Sequence, residues 1–312
     1  MGVLITGMHR SGTSMFGEWM SQTGLTMGDG PGFEKDWANP RGLYERQDVV
    51  DFNNHWLGVL GGSWWAPPNV PEITWRSVDA TELNRARASL DLFKARYTGW
   101  YAKDPRLSLL LPLWDRLTLR TLPIVVAVRS PRDVAMSLHM RDGITLRSGL
   151  ALWMAYNRSL FSHLQGRSFL VLDLVRTLEQ REQAADIFLT FLDSLELKSS
   201  GNAFTIAENT DPALLRQQCD RLPGSAERLA EDLDEIYERV RQLHAIPGHD
   251  DSFEMELPDW AEEALDEASQ AWNLKIRNDI LEFQLKHERD RLLALHNAPS
   301  IRLLRMIRRK AD

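Results

Sequence analysis

Val3-Leu4-Ile5-Thr6-Gly7-Met8-His9-Arg10-Ser11-Gly12-Thr13-Ser14 is the stretch that decides the reading of this chain. A short apolar run leads directly into two glycines, and helical spacing begins near Ser11. That is the pattern of a buried strand, a tight turn and a helix N-terminus. Such a turn aims backbone N–H groups at one point, where the helix dipole adds partial positive charge, and it suits a phosphate or a similar anion. Gly7 and Gly12 have the spacing of a nucleotide-binding glycine loop. Thr13 stands where the lysine of such a loop would follow the second glycine, and the cation within the turn is Arg10.

Working outward, further apolar runs at 100–102, 124–128 and 169–172 read as strands parallel to the first. Helical patterns lie between them: 11–23, 45–60, a third from Asp79 to about Gly99, then 107–119 and 145–165. Asp79 with Glu82 forms a capping-box pattern, and Ser130-Pro131 with Asp133 forms another at a helix start. The expected fold class is α/β, a P-loop-like parallel sheet flanked by helices, with a helical C-terminal extension. A catalytic domain is expected over 1–245, mostly helical after Leu174. A linker at 245–258 and a long charged helix over 259–296 follow. Leu265, Trp272, Ile276, Ile280 and Leu285 give that helix apolar positions for packing on the body or on a second copy, a homodimer. At 301–312, Leu303, Leu304 and Ile307 oppose Arg302, Arg305, Arg308 and Arg309, which fits a solvated tail or peripheral contact with an anionic membrane.

Composition narrows the function. The 43% hydrophobic and 26% charged content is that of an ordinary globular chain, and a net charge of −7 argues against a nucleic-acid partner. The lone Cys219, read as an inert helix residue, excludes an internal disulfide and suits a reducing, cytoplasmic compartment. No membrane span and no signal peptide are expected. Met1 to Thr6 match a myristoylation signal only formally, because the same residues read as a buried strand. Any anion site must therefore be a local cluster of cations. Arg10, Lys103 and Arg129 each follow a strand end, the edge where open α/β sheets bind ligands. The implied ligand carries at least two anionic groups.

These residues resemble the sulfotransferases that use 3′-phosphoadenosine 5′-phosphosulfate (PAPS), in particular a bacterial branch with a Gly-Met-His-Arg-Ser-Gly-Thr-Ser loop. Gly7–Ser14 resembles their 5′-phosphosulfate loop. Val128-Arg129-Ser130-Pro131-Arg132-Asp133-Val134-Ala135-Met136-Ser137 resembles their 3′-phosphate motif. Asn39-Pro40-Arg41-Gly42-Leu43-Tyr44-Glu45, Lys103-Asp104-Pro105-Arg106 and Leu150-Ala151-Leu152-Trp153 through Tyr156-Asn157 also match. The likeness spans Gly2 to Asp173. Leu172-Asp173-Leu174 departs from the Tyr-Glu-Asp-like segment of the family, and the adenine contacts are unassigned.

The resemblance implies a metal-independent, in-line transfer of a sulfuryl group from PAPS to a hydroxyl, leaving PAP. The acceptor class is a carbohydrate, a glycolipid-like molecule or another small molecule. His9, Arg10, Ser11, Gly12, Thr13 and Ser14 fall on the donor loop, and Arg129 and Ser137 on the 3′-phosphate contacts. Arg10 and Lys103 are expected to stabilise the reacting group, and Glu45 to act as general base, kept ionised by nearby cations. Glu34, Asp48 and His55 are weaker substitutes, and His9 is expected to stabilise the loop. Asp104 and Arg106 read as structural, with Asp104 expected to orient Lys103 or to bond loop amides. Arg132 and Asp133 read as a solvated first turn. Trp64-Trp65 read equally as an acceptor wall or as core. The competing readings are a nucleotide-dependent kinase or NTPase and a non-catalytic nucleotide-binding module.

Overall fold

The structure, a computed structural model, describes residues 2–28, 42–69, 78–90, 99–197, 200–211, 218–244, 247–248 and 255–297. Glu34, the Asn39-Pro40-Arg41 part of the family-like segment, and the basic tail 301–312 lie outside the described residues. The chain divides into two compact units, Met1–Asp266 and Glu267–Asp312. The first unit therefore runs beyond residue 245, where the catalytic domain was expected to end.

In chain order the elements are β1 (Gly2–Gly7), α1 (Thr13–Ser21), α2 (Gln47–Val59), α3 (Ala80–Ser89), β2 (Trp100–Lys103), α4 (Leu107–Thr118), β3 (Ile124–Val128), α5 (Pro131–Asp142), α6 (Leu146–Phe161) and β4 (Phe169–Asp173). Then come α7 (Leu174–Glu179), α8 (Arg181–Ser194), α9 (Ala203–Asn209), α10 (Ala226–Glu231), α11 (Asp234–Gln242), β5 (Pro247–Gly248) and α12 (Asp259–Asn297). All four expected strands are present, each within a residue of its sequence reading. Asp79 caps α3 as expected, accepting from the N–H groups of Thr81 and Glu82. The expected continuation of α3 toward Gly99 falls largely outside the described residues.

The sheet order is β2-β1-β3-β4-β5, parallel except for β5, which pairs antiparallel with β4. Residues 247–248 thus form a short sheet edge where a surface linker was expected. Strand residues alternate between two cores. Leu4, Ala102, Val126 and Val171 join α4 and α6 on one face; Val3, Ile5, Val125 and Leu170 join α1 and α8 on the other. A strand buried on both faces carries few polar side chains: β3 has none, and the Thr6 hydroxyl of β1 donates to the Asp104 carbonyl. β1 connects toward β2, whereas β3 connects outward to β4. The connections diverge between β1 and β3, so a crevice opens at their C-terminal ends.

Among the described residues no helix is long and apolar enough to cross a membrane. The start of α12 packs through Ala261 and Ala264 against Ala151 of α6. Farther along, Ile276, Ile280 and Leu285 are exposed.

Candidate active site at the β1–β3 crevice

The glycine turn is shaped by its contact with β3. At Gly7 (φ 145°) a Cβ would stand 2.1 Å from the carbonyl oxygen of Ala127, so a side chain here would push the loop off the sheet. The chain then turns through Arg10 (φ 71°), with the Ser11 N–H bonded to the Met8 carbonyl, and enters α1 at a left-handed Gly12. Ser11 and Thr13 are buried. The Ser11 hydroxyl is a buried group without a hydrogen-bond partner.

Arg129 leaves the neighbouring strand and points back to this turn. Its Nη1 donates to the Arg10 carbonyl (3.1 Å), and its Nε donates to Asp133 Oδ2 (3.2 Å). Arg10 Nε in turn donates to Ser137 Oγ (2.8 Å), one and a half turns into α5. Arg10 therefore meets Arg129 and Ser137, which lie more than a hundred positions further along the chain.

Two expectations about this helix start need correction. Ser130 occupies the cap position but makes no side-chain cap bond, and Asp133 does not complete a capping box. Asp133 is buried instead between Arg129 and the Cys219 N–H (2.7 Å). Arg132 is not solvated either: it pairs with Glu227 and Asp234. Cys219, expected in a helix, lies in a loop.

Opposite this junction sits a second polar group. Lys103, the last residue of β2, has a fully buried ammonium that donates to Glu45 Oε1 (2.5 Å) and to Ser14 Oγ (3.2 Å). Glu45 reaches it because Tyr44 lies against α1 at Gly17, where a Cβ would stand 2.7 Å from Tyr44 Cβ. The expectation that nearby cations simply keep Glu45 ionised omits its burial. Burial pushes the carboxyl above the usual Glu range; Lys103 pulls it back, and Asp104 adds to the upward push.

Asp104 faces away from Lys103. It accepts from Asn53 Nδ2 (2.9 Å) and from the backbone and guanidinium of Arg106, while Asn53 accepts from Trp114 Nε1. Its effect on Lys103 is through the fold of the turn. Asp48, a substitute base by sequence, is engaged by Arg46, and His55 is exposed near Glu82.

Comparison with known protein families finds no match. Comparison with curated proteins finds none either. The site must be read from its own chemistry.

His9 completes the crevice. Its ring lies 4.7 Å from Trp64 and 5.7 Å from Tyr156, centroid to centroid, and Tyr156 donates its hydroxyl to the Trp64 carbonyl (2.8 Å). Trp64 is half-buried and packs against the core. Burial holds the His9 imidazole well below its usual range, and Arg106, Arg141, Lys103 and Arg10 reinforce this. His9 Nε2 and Arg106 Nε are both buried without a hydrogen-bond partner. Asn53, Arg106 and Tyr156 are thus part of the site's frame, although the sequence reading gave them no polar role beside Lys103. Asn53 carries a recognisable signal: it is a polar residue at a core position of α2.

Proposed function

We propose that this chain is a PAPS-dependent O-sulfotransferase acting on a hydroxyl of a carbohydrate or other small-molecule acceptor. The observation that carries the reading is the meeting of Arg10, Arg129 and Ser137 at the β1–β3 crevice, with Lys103 and Glu45 beside the same loop. Two cationic groups at the ends of adjacent strands suit a donor with phosphate at both ends of an adenosine. Charge-assisted hydrogen bonds from guanidinium to phosphate are the strong, directional kind.

In the proposed reaction the acceptor oxygen forms a bond to sulfur as the bond from sulfur to the bridging phosphate oxygen breaks. Glu45 takes the hydroxyl proton, and the electron pair leaves on the phosphate of PAP. Lys103, already on Ser14 of the donor loop, stabilises that leaving oxygen together with the loop N–H groups. A carboxyl raised by burial is a better proton acceptor than an ordinary Glu, provided Lys103 keeps it charged in the resting site. A reducing, cytoplasmic setting and a glycan or glycolipid-like acceptor belong to the same reading.

Calorimetry with PAP and ADP tests it. PAP is expected to bind much more tightly than ADP. Arg129→Ala is expected to weaken PAP by ~1.5–3 kcal/mol while leaving ADP nearly unchanged. Equal affinity for the two nucleotides in the parent chain overturns the assignment.

A further inference from the structure

The second compact unit carries a separate signal. Positions 273–291 of α12 are exposed on every side, including Leu274 (59%), Leu281 (49%) and Leu285 (70%). A helix so widely exposed is marginal in water, and its apolar residues stay solvated unless something covers them. The apolar positions are not scattered. Ala271, Leu274, Asn278, Leu281 and Leu285 follow the alternating three- and four-residue steps of a heptad seam, and the same spacing continues in sequence at Leu292.

We propose that a second copy of this chain covers the seam, forming a parallel, in-register two-stranded coiled coil through α12. Three features select this occupant. Asn278 is a polar, uncharged seam residue between Leu274 and Leu281. In the in-register parallel dimer it meets its own copy and forms a hydrogen bond, whereas shifted or antiparallel pairing sets it against leucine. Arg277 and Glu282 flank the seam at the positions that face each other across such a dimer. Neither has an ion-pair partner in its own chain among the described residues. The other flanking pairs, Gln270 with Lys275 and Gln284 with Arg289, bring no like charges together. Glu288, at the next seam position, has Arg291 3.4 Å away to offset its charge. A second apolar stripe of Ile276, Ile280 and Phe283 lies on the opposite face. At heptad spacing it is preceded by Asn273 and followed by His287 and Asp290, so it is the shorter seam.

Sedimentation velocity on the full chain at micromolar concentration tests the proposal independently of any enzymatic reading. The expected species is a dimer, made monomeric by Leu281→Asp and left intact by Phe283→Asp. Arg277→Glu or Glu282→Arg alone is expected to weaken the dimer by about three- to fivefold, because each reversal acts on both symmetric pairs. The double reversal R277E/E282R is expected to restore parental affinity. A monomeric parent, a larger assembly, loss of the dimer in Phe283→Asp, or failure of the double reversal to restore pairing overturns the proposal. The charge variants retain the seam, so they discriminate even where Leu281→Asp disturbs the helix.

Discussion

Replacing Lys103 with Met probes the buried pair beside the glycine loop most directly. The ammonium is fully buried and stands 2.5 Å from a carboxylate that is itself almost wholly enclosed. Met fills much of the same volume and removes only the charge and its two hydrogen bonds. Glu45 then keeps the desolvation and the repulsion from Asp104 that raise its pKa, and loses the main influence that lowers it. Breaking a buried pair in this way costs about 3–5 kcal/mol when the remaining group must stay charged. The cost depends on pH with a definite sign. In the variant the folded-state pKa of Glu45 lies above its unfolded value, so the fold binds the proton more tightly than the unfolded chain does. Little is lost below the unfolded value near 4.5, and the loss grows as pH rises through the folded value, at about 1.4 kcal/mol per unit. Urea unfolding at pH 5 and pH 8 measures this. Lys103→Met is expected to lose clearly more stability at pH 8, and adding Glu45→Gln is expected to recover a large part. A loss that is the same at both pH values, with the two substitutions simply additive, refutes the argument that the two side chains form one buried charged unit.

Other expectations follow from the same geometry. Glu45→Gln is expected to lower kcat by at least about a hundredfold, with PAP affinity by calorimetry nearly unchanged, since it removes the proposed proton acceptor. His9 is held neutral in the fold, so its contribution to stability is present above pH 6.5 and is lost as pH falls through its depressed folded value. The melting temperature should therefore drop on acidification from pH 7.5 to 5.5, and His9→Leu should flatten that drop; identical slopes in both proteins refute the point. Gly7→Ala is expected to destabilise the fold by about 2 kcal/mol or more in urea, because its Cβ meets the Ala127 carbonyl in a conformation unfavourable to alanine.

Much of the architecture was legible because it rests on local patterns. β1 and β3 are buried on both faces, so apart from Thr6 their residues are apolar or glycine without alternation, and the glycine turn after β1 marks where the chain leaves the sheet. The cap at Asp79 was equally plain, since a carboxylate bonded to two backbone N–H groups needs no distant partner. At Ser130 and Asp133 the same local logic failed. The Arg129 guanidinium, four residues back, and the distant Cys219 N–H both bind Asp133 and hold it in the interior. Arg132, equally polar in sequence, is drawn to acidic residues about a hundred positions away.

The order and spacing of residues by themselves determined that β1 ends in a tight glycine turn and that basic residues stand at or just past three strand ends. These depend on neighbours within a few residues, and the backbone expresses them wherever the chain goes. Only tertiary structure decided that Arg10 touches Ser137, that Arg129 reaches the loop carbonyl, and that Glu45 lies on Lys103. Those contacts depend on which strands adjoin and on how far burial raises the cost of an unpaired charge. The strand order that places β1 between β2 and β3 turns three scattered basic residues into one site.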